Sequence, residues 1–277
     1  MQTDKEFAVP KNLVDQFAVH ESVQGSAQKT AKADLPSAPA EPALTAKTES
    51  GGQGKSNGKT TKATKKAKKM KEPVVEASKA PAPVPNRWTM PPFFKEGERT
   101  VFDITYFGAT AGKLELEVLP QKIVSERSSY HFRAIASSTS VFSLFYRVND
   151  VAESFMDSTG LFSHKFSLKL DESRQTRDVL ELYDQQKRKA YYWSKWDLSG
   201  KPRQNEQSEI DLVPFTQDGL SSFFYVRTLP LELGKTYDFP MVNNGKLRTV
   251  RVTALRKEEL TTRMGDFHAI VVKPEVV

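Results

Sequence analysis

The chain has 277 residues, 38% of them apolar, with a formal net charge of +7 and no cysteine. The missing thiols exclude disulfides, thiolate metal sites and cysteine nucleophiles, and no run of about 18 apolar residues is present to form a membrane-spanning helix. Zero cysteine is compatible with cytoplasm or periplasm, because a domain of this size needs no covalent staples.

Aromatic residues and charge divide the chain in two. Residues 1–85 hold two aromatics, Phe7 and Phe17, while all Tyr, all Trp and the other fifteen Phe follow. The same 85 residues carry fourteen Lys against nine acids, a net of +5, and the remainder has twenty-seven basic and twenty-five acidic residues, a net of +2. A segment so poor in large apolar side chains cannot offset its own chain entropy, so 1–85 is expected to be a mostly disordered arm and 86–277 the folded domain. The domain is nearly balanced in charge, which disfavours nucleic acid as its partner.

Within the arm, Leu13, Val14, Phe17 and Ala18 make one short helical face. Two helical turns are unstable alone in water, which leaves either a transient helix or a segment that folds on docking. The first thirty residues show neither a basic start nor an apolar core, so no signal peptide is visible. The stretch "KSNGKTTKATKKAKKMK", with eight Lys and no aromatic, reads as a self-repelling spacer, with attraction to an envelope protein, anionic lipid, cell-wall polymer or nucleic acid as the functional alternative. "APAPVPNRWTMPP" then leads into the domain as polyproline II.

From Phe93 onward the dominant period is two. Phe102, Ile104 and Tyr106 share one parity, as do Leu114, Leu116 and Val118, and then Tyr130, Phe132, Ala134 and Ala136. Residues 161–170 alternate Phe162, His164, Phe166, Leu168 and Leu170 with Ser and Lys, and further strands are expected at 147–156, 175–184, 189–196, 247–256 and 267–273. Such segments are half-buried antiparallel strands with one solvated face. Helical signals are few. Asp218 is placed to cap a helix running to Arg227 in which Leu220, Phe223 and Phe224 fall at i, i+3 and i+4, and a weaker turn covers Thr139 to Tyr146. The expected fold is mainly β: a strongly curved antiparallel sheet or incomplete barrel with one or two short helices.

Catalytic signatures are weak. "GGQGKS" lacks the first Gly of a phosphate loop, and "DSTG" at Asp157 to Gly160 is best explained as a turn. His131, His164 and His268 each stand alone on a strand, without a carboxylate or second His at metal-ligand spacing, and no nucleophile elbow occurs. Nothing requires a cofactor or a metal. The aromatic clusters remain as candidates for binding an apolar ligand, such as a lipid, on the concave sheet face: Phe142, Phe145 and Tyr146 as a lip, with Phe162, Phe166, Tyr191, Trp193, Phe223 and Phe224 around the hollow. Core packing is the competing explanation for each.

The blocks "FKEGERTVFDITYFGATAGKLELEV", "VFSLFYRVNDVAESFMDSTGLFSHKFSLKL", "TQDGLSSFFYVRTLPLELGKTY" and "MGDFHAIVVKPEVV" resemble, in order and texture over about 93–277, a bacterial family catalogued as domain of unknown function 3108. The resemblance implies export to the Gram-negative envelope and further strands beyond Val277, and it transfers no catalytic residues. The resulting expectation is a noncatalytic envelope-associated binding or scaffold protein. Its alternatives are a hydrolase acting on envelope polymers and an interaction module tethered by the Lys-rich arm.

Overall fold

The computed structural model describes residues 7–22 and 93–277. They form twelve strands and three short α-helices: α1 (Lys11–Gln16), β1 (Val19–Glu21), β2 (Arg99–Tyr106), β3 (Ala109–Val124), β4 (Arg127–Ser138), α2 (Ser140–Ser143), β5 (Asn149–Asp157), β6 (Ser163–Asp171), β7 (Gln175–Asp184), β8 (Lys189–Leu198), β9 (Gln204–Asp211), α3 (Gly219–Tyr225), β10 (Thr236–Asn243), β11 (Lys246–Thr262) and β12 (Gly265–Val276). A single 3-10 turn, Val226–Thr228, extends α3.

Nine strands form one antiparallel sheet, a meander from β3 to β9. Its first edge is composite: β3 is long enough to pair with β2 along its first half and with β1 along its second, Val19 lying opposite Val124. Strands β10, β11 and β12 form a second antiparallel sheet. The large sheet is open, since β9 pairs with β8 alone among the described strands.

Alternation assigns the faces. One cross-strand row runs Val118, Phe132, Ser154, Phe166, Glu181, Tyr192 and Ser208, each opposite the next. Its apolar members Val118, Phe132, Phe166 and Tyr192, with Leu116, Tyr130, Met156, Val179, Tyr183, Ala190 and Ile210, supply the large sheet's share of the main core, which α3 and the inner face of the second sheet complete. The other face carries a second cluster: Val124, Phe155, Leu180, Leu182 and Trp193, with Phe7, Leu13 and Phe17 packed on them. Leu114, Leu116 and Val118 belong to the inner face as their parity predicts.

That second cluster revises the domain boundary. The arm was expected to span 1–85 outside the domain, yet Phe7–Ser22 dock on the sheet, with Phe17 only 1% exposed. Three apolar side chains and a three-residue strand suffice because the complementary surface already exists on the sheet, and an average over 85 residues dilutes that signal. Gln16 reinforces the dock by donating to Asp184 (3.0 Å). The Lys-rich stretch and the polyproline lead-in lie outside the described residues.

The period breaks once in β6. A bulge opposite Met156 puts Ser163 on the inner face, and Phe162 then leaves the main core to pack against His164 (5.1 Å between ring centroids) and under the Arg127 guanidinium (5.7 Å). "DSTG" is a turn: the Asp157 carboxylate accepts from the amides of Thr159 and Gly160, and Leu161 follows at φ 54°.

Candidate functional site

The site grows from α3. Its N-cap, Asp218, is fully buried; one carboxylate oxygen accepts from the amides of Leu220 (2.8 Å) and Ser221 (2.7 Å), the other from the hydroxyls of Ser154 (2.7 Å) and Ser163 (2.6 Å). The Ser221 hydroxyl accepts from the Asp218 amide (2.9 Å), completing a capping box. A side chain that would normally cap a helix at the surface therefore bolts this one to β5 and β6. Burial raises its pKa, against the opposing pull of those hydroxyl and amide donors.

Bolted there, α3 divides its side chains between two surroundings. Leu220, Phe224 and Tyr225 are buried, and Phe224 stacks on Phe132 (3.9 Å between centroids, 6° between planes) with Phe94 edge-on to both. Gly219, Ser222, Phe223 and Val226 instead line a groove of about 470 Å³ whose far wall is the second sheet. Phe239 of β10, Val250 and Val252 of β11, and Ile270, Val272 and Pro274 of β12 form that wall. The volume falls within the usual range for small-molecule sites, about 300–1,000 Å³.

Chemically the groove is quiet. Among the described residues its only charged wall residue, Arg227, forms a two-pronged ion pair with Glu98 (2.5 and 3.2 Å) and lies over the Phe94 ring (5.1 Å). The Ser222 hydroxyl donates to the Gly219 carbonyl (2.8 Å). With no histidine or carboxylate among the described residues of its walls, the groove offers a surface for hydrocarbon rather than groups to move protons.

The candidate aromatics separate into several environments. Phe166 and Phe224 are core residues, and Phe223, 54% exposed, lines the groove. Tyr191 and Trp193 stack on each other (6.2 Å) on the opposite face of the sheet, beneath the N-terminal segment. Phe142 and Tyr146 border a separate hollow of about 190 Å³ with Ile104, Gly112 and Ala136, and the Tyr146 hydroxyl donates to Glu172. Gly112 is required there, since a Cβ would lie 2.6 Å from the Ser137 carbonyl oxygen of the adjacent strand. Phe145 is 81% exposed and lines neither cavity.

The histidines are not solitary. His131 pairs with Glu153 and His164 with Asp157, each at 3.2 Å, and His268 approaches Glu259 at 3.7 Å. The carboxylate comes from the adjacent strand or the preceding turn, so spacing along one strand could not reveal it. Asp157 also holds Arg127; burial alone would raise its pKa, but hydrogen bonds from His164, Arg127 and the Gly160 amide override that and hold it far below the usual carboxylate range. Among the described residues no group of three or more His, Asp or Glu could hold a metal ion, and no helix is long and apolar enough to cross a membrane.

An open antiparallel β domain, with a plugging helix and an apolar groove beside it, is the class that fold and site define. The chain belongs to a family of proteins described as "Protein of unknown function (DUF3108)", which it matches over residues 101–276. No curated protein and no solved structure matches it.

Proposed function

We propose that the protein is a noncatalytic binding protein of the cell envelope that holds one apolar chain of the lipid class in the groove between α3 and the second sheet. The observation that carries this reading is a cavity of about 470 Å³ whose single charge among the described residues is already neutralised by Glu98. Each methylene seated there contributes about 0.8 kcal/mol, so an acyl chain needs no polar anchor to be retained. The envelope location rests on the family resemblance alone. Hydrolysis of envelope polymers finds no support in a wall without carboxylate or imidazole among its described residues.

Native mass spectrometry of the full chain, after incubation with phosphatidylethanolamine vesicles, tests the proposal. The expected result is a one-to-one lipid adduct that Phe223→Asp abolishes without loss of fold. A protein that stays lipid-free, or a variant that loads as well as the parent, refutes it.

A further inference from the structure

A second cavity, of about 790 Å³, shares no lining residue with the groove and has the opposite chemistry. It lies between β7, β8 and β9 of the large sheet and the turn joining β10 to β11. That turn is tight: Asn244 and Gly245 both have positive φ, 49° and 67°, the conformation of a two-residue hairpin loop. It is also pressed against the sheet, because a Cβ on Gly245 would lie 2.7 Å from the Ser208 hydroxyl and 2.8 Å from the Tyr192 ring. Arg177 clamps the two parts, donating to the Tyr192 hydroxyl (2.8 Å), the Ser194 hydroxyl (3.0 Å) and the Asn244 side-chain oxygen (3.0 Å), with its guanidinium over Trp196 (5.8 Å).

The walls carry three kinds of group. Asn243 and Asn244 present planar amides and Ser208 a hydroxyl, whereas Asn205 and Gln207, opposite Lys195 and Trp193, turn their side chains to the other face of the sheet. Trp196 offers an aromatic surface. Lys246 and Arg248 are cations without an ion-pair partner among the described residues, whereas Arg251, on the same strand, is matched by Asp238 at 2.7 Å. Glu206 supplies the one carboxylate.

We infer that this cleft binds an acidic oligosaccharide, a chain of sugar rings carrying carboxylate groups. Vicinal hydroxyls both donate and accept, which planar amides and Glu206 match and a ring of cations alone would not. The aromatic surface suits the apolar face of a pyranose. Lys246 and Arg248 supply charge complementarity for the carboxylates, while Glu206 disfavours a compact, highly charged anion. The volume exceeds what a single sugar ring fills, so the ligand is an oligomer.

Isothermal titration of the full chain with galacturonate, mannuronate and hyaluronan tetrasaccharides tests this inference, with cellotetraose and citrate as comparators. At least one uronate oligomer is expected to bind with Kd below about 1 mM, at least ~10-fold tighter than cellotetraose or citrate. The double substitution Lys246→Ala, Arg248→Ala is expected to weaken that binding ~10-fold or more, with an unchanged thermal midpoint, because neither side chain holds the fold. Asn243→Ala probes the amide wall independently and is expected to weaken it too. Failure of all three uronate oligomers to bind, equal binding of citrate or cellotetraose, or indifference either to the double cation substitution or to Asn243→Ala overturns the inference. None of these outcomes bears on lipid loading of the separate groove.

Discussion

Glu181 offers a quantitative test of how the inner face is built. It is 3% exposed, flanked across the strands by Phe166 and Tyr192, and accepts a hydrogen bond from the Tyr183 hydroxyl (2.5 Å). Burial, opposed by that hydrogen bond and abetted by the Asp218 charge, pushes its pKa from 4.5 up to about 8. The native state therefore keeps this proton between pH 4.5 and 8 while the unfolded chain releases it, so the unfolded state binds fewer protons across that window. Glu181 contributes fully below pH 4.5, and its contribution declines with rising pH by about 1.4 kcal/mol per unit, to a total of roughly 5 kcal/mol lost by pH 8. Glu181→Gln mimics the protonated form at every pH. Urea denaturation of both proteins at intervals from pH 4.5 to 8.5 is expected to give similar stabilities at the acid end and a variant more stable by several kcal/mol at the alkaline end. A constant difference across the range, or a less stable variant at pH 8, would refute an uncharged carboxyl in this core.

Three further outcomes follow from named contacts. Phe17→Ala is expected to destabilise the protein by about 3–5 kcal/mol in urea denaturation, the cost of emptying a buried aromatic site, although the residue lies in a stretch poor in large apolar side chains. Phe224→Ala is expected to cost a similar ~3–5 kcal/mol, whereas its neighbour Phe223→Ala should change stability by under ~1 kcal/mol and instead reduce lipid loading. Arg127→Ala is expected to cost about 3 kcal/mol at neutral pH by stripping the buried Asp157 of its cationic partner. Asp157's contribution is present above the ordinary carboxylate range and lost as pH falls through its depressed value, so the same variant should lose its circular dichroism signal at a higher pH during acid titration.

Much of the fold is legible in period-two alternation, and it is instructive where that fails. Strands β3 to β8 announce themselves because apolar and polar side chains alternate along much of their length, even though part of the second face is covered by the N-terminal segment. Strand β9, "QNEQSEID", is exposed along nearly its whole length and has no apolar face to read. Strand β10 is masked by Pro240, which the sheet tolerates because the Pro240 carbonyl, and with it the missing N–H, faces away from β11, toward Gln217. The cap at Asp218 was readable, but its bond to Ser154 and Ser163 was not, since those partners lie 64 and 55 residues away. For the candidate site, composition located the aromatics without saying which side of a sheet each would take. Phe223 and Phe224 are adjacent in sequence, yet one faces a groove and the other a stacked core, a difference set by the second sheet. The groove's far wall comes from residues such as Val250 and Val272, which look like ordinary strand valines until the two sheets face each other.

The composite edge of β3 has a topological consequence. The chain leaves the described structure at Ser22, just after pairing with β3 on one flank, and returns at Phe93, next to Phe94 wedged among Tyr130, Phe132 and Phe224 on the opposite side. Both crossings of that edge are therefore fastened by side chains as well as by backbone pairing: Phe7, Leu13 and Phe17 seal one face of the sheet where Phe94 seals the other, so loosening either seam strips a neighbour from β3.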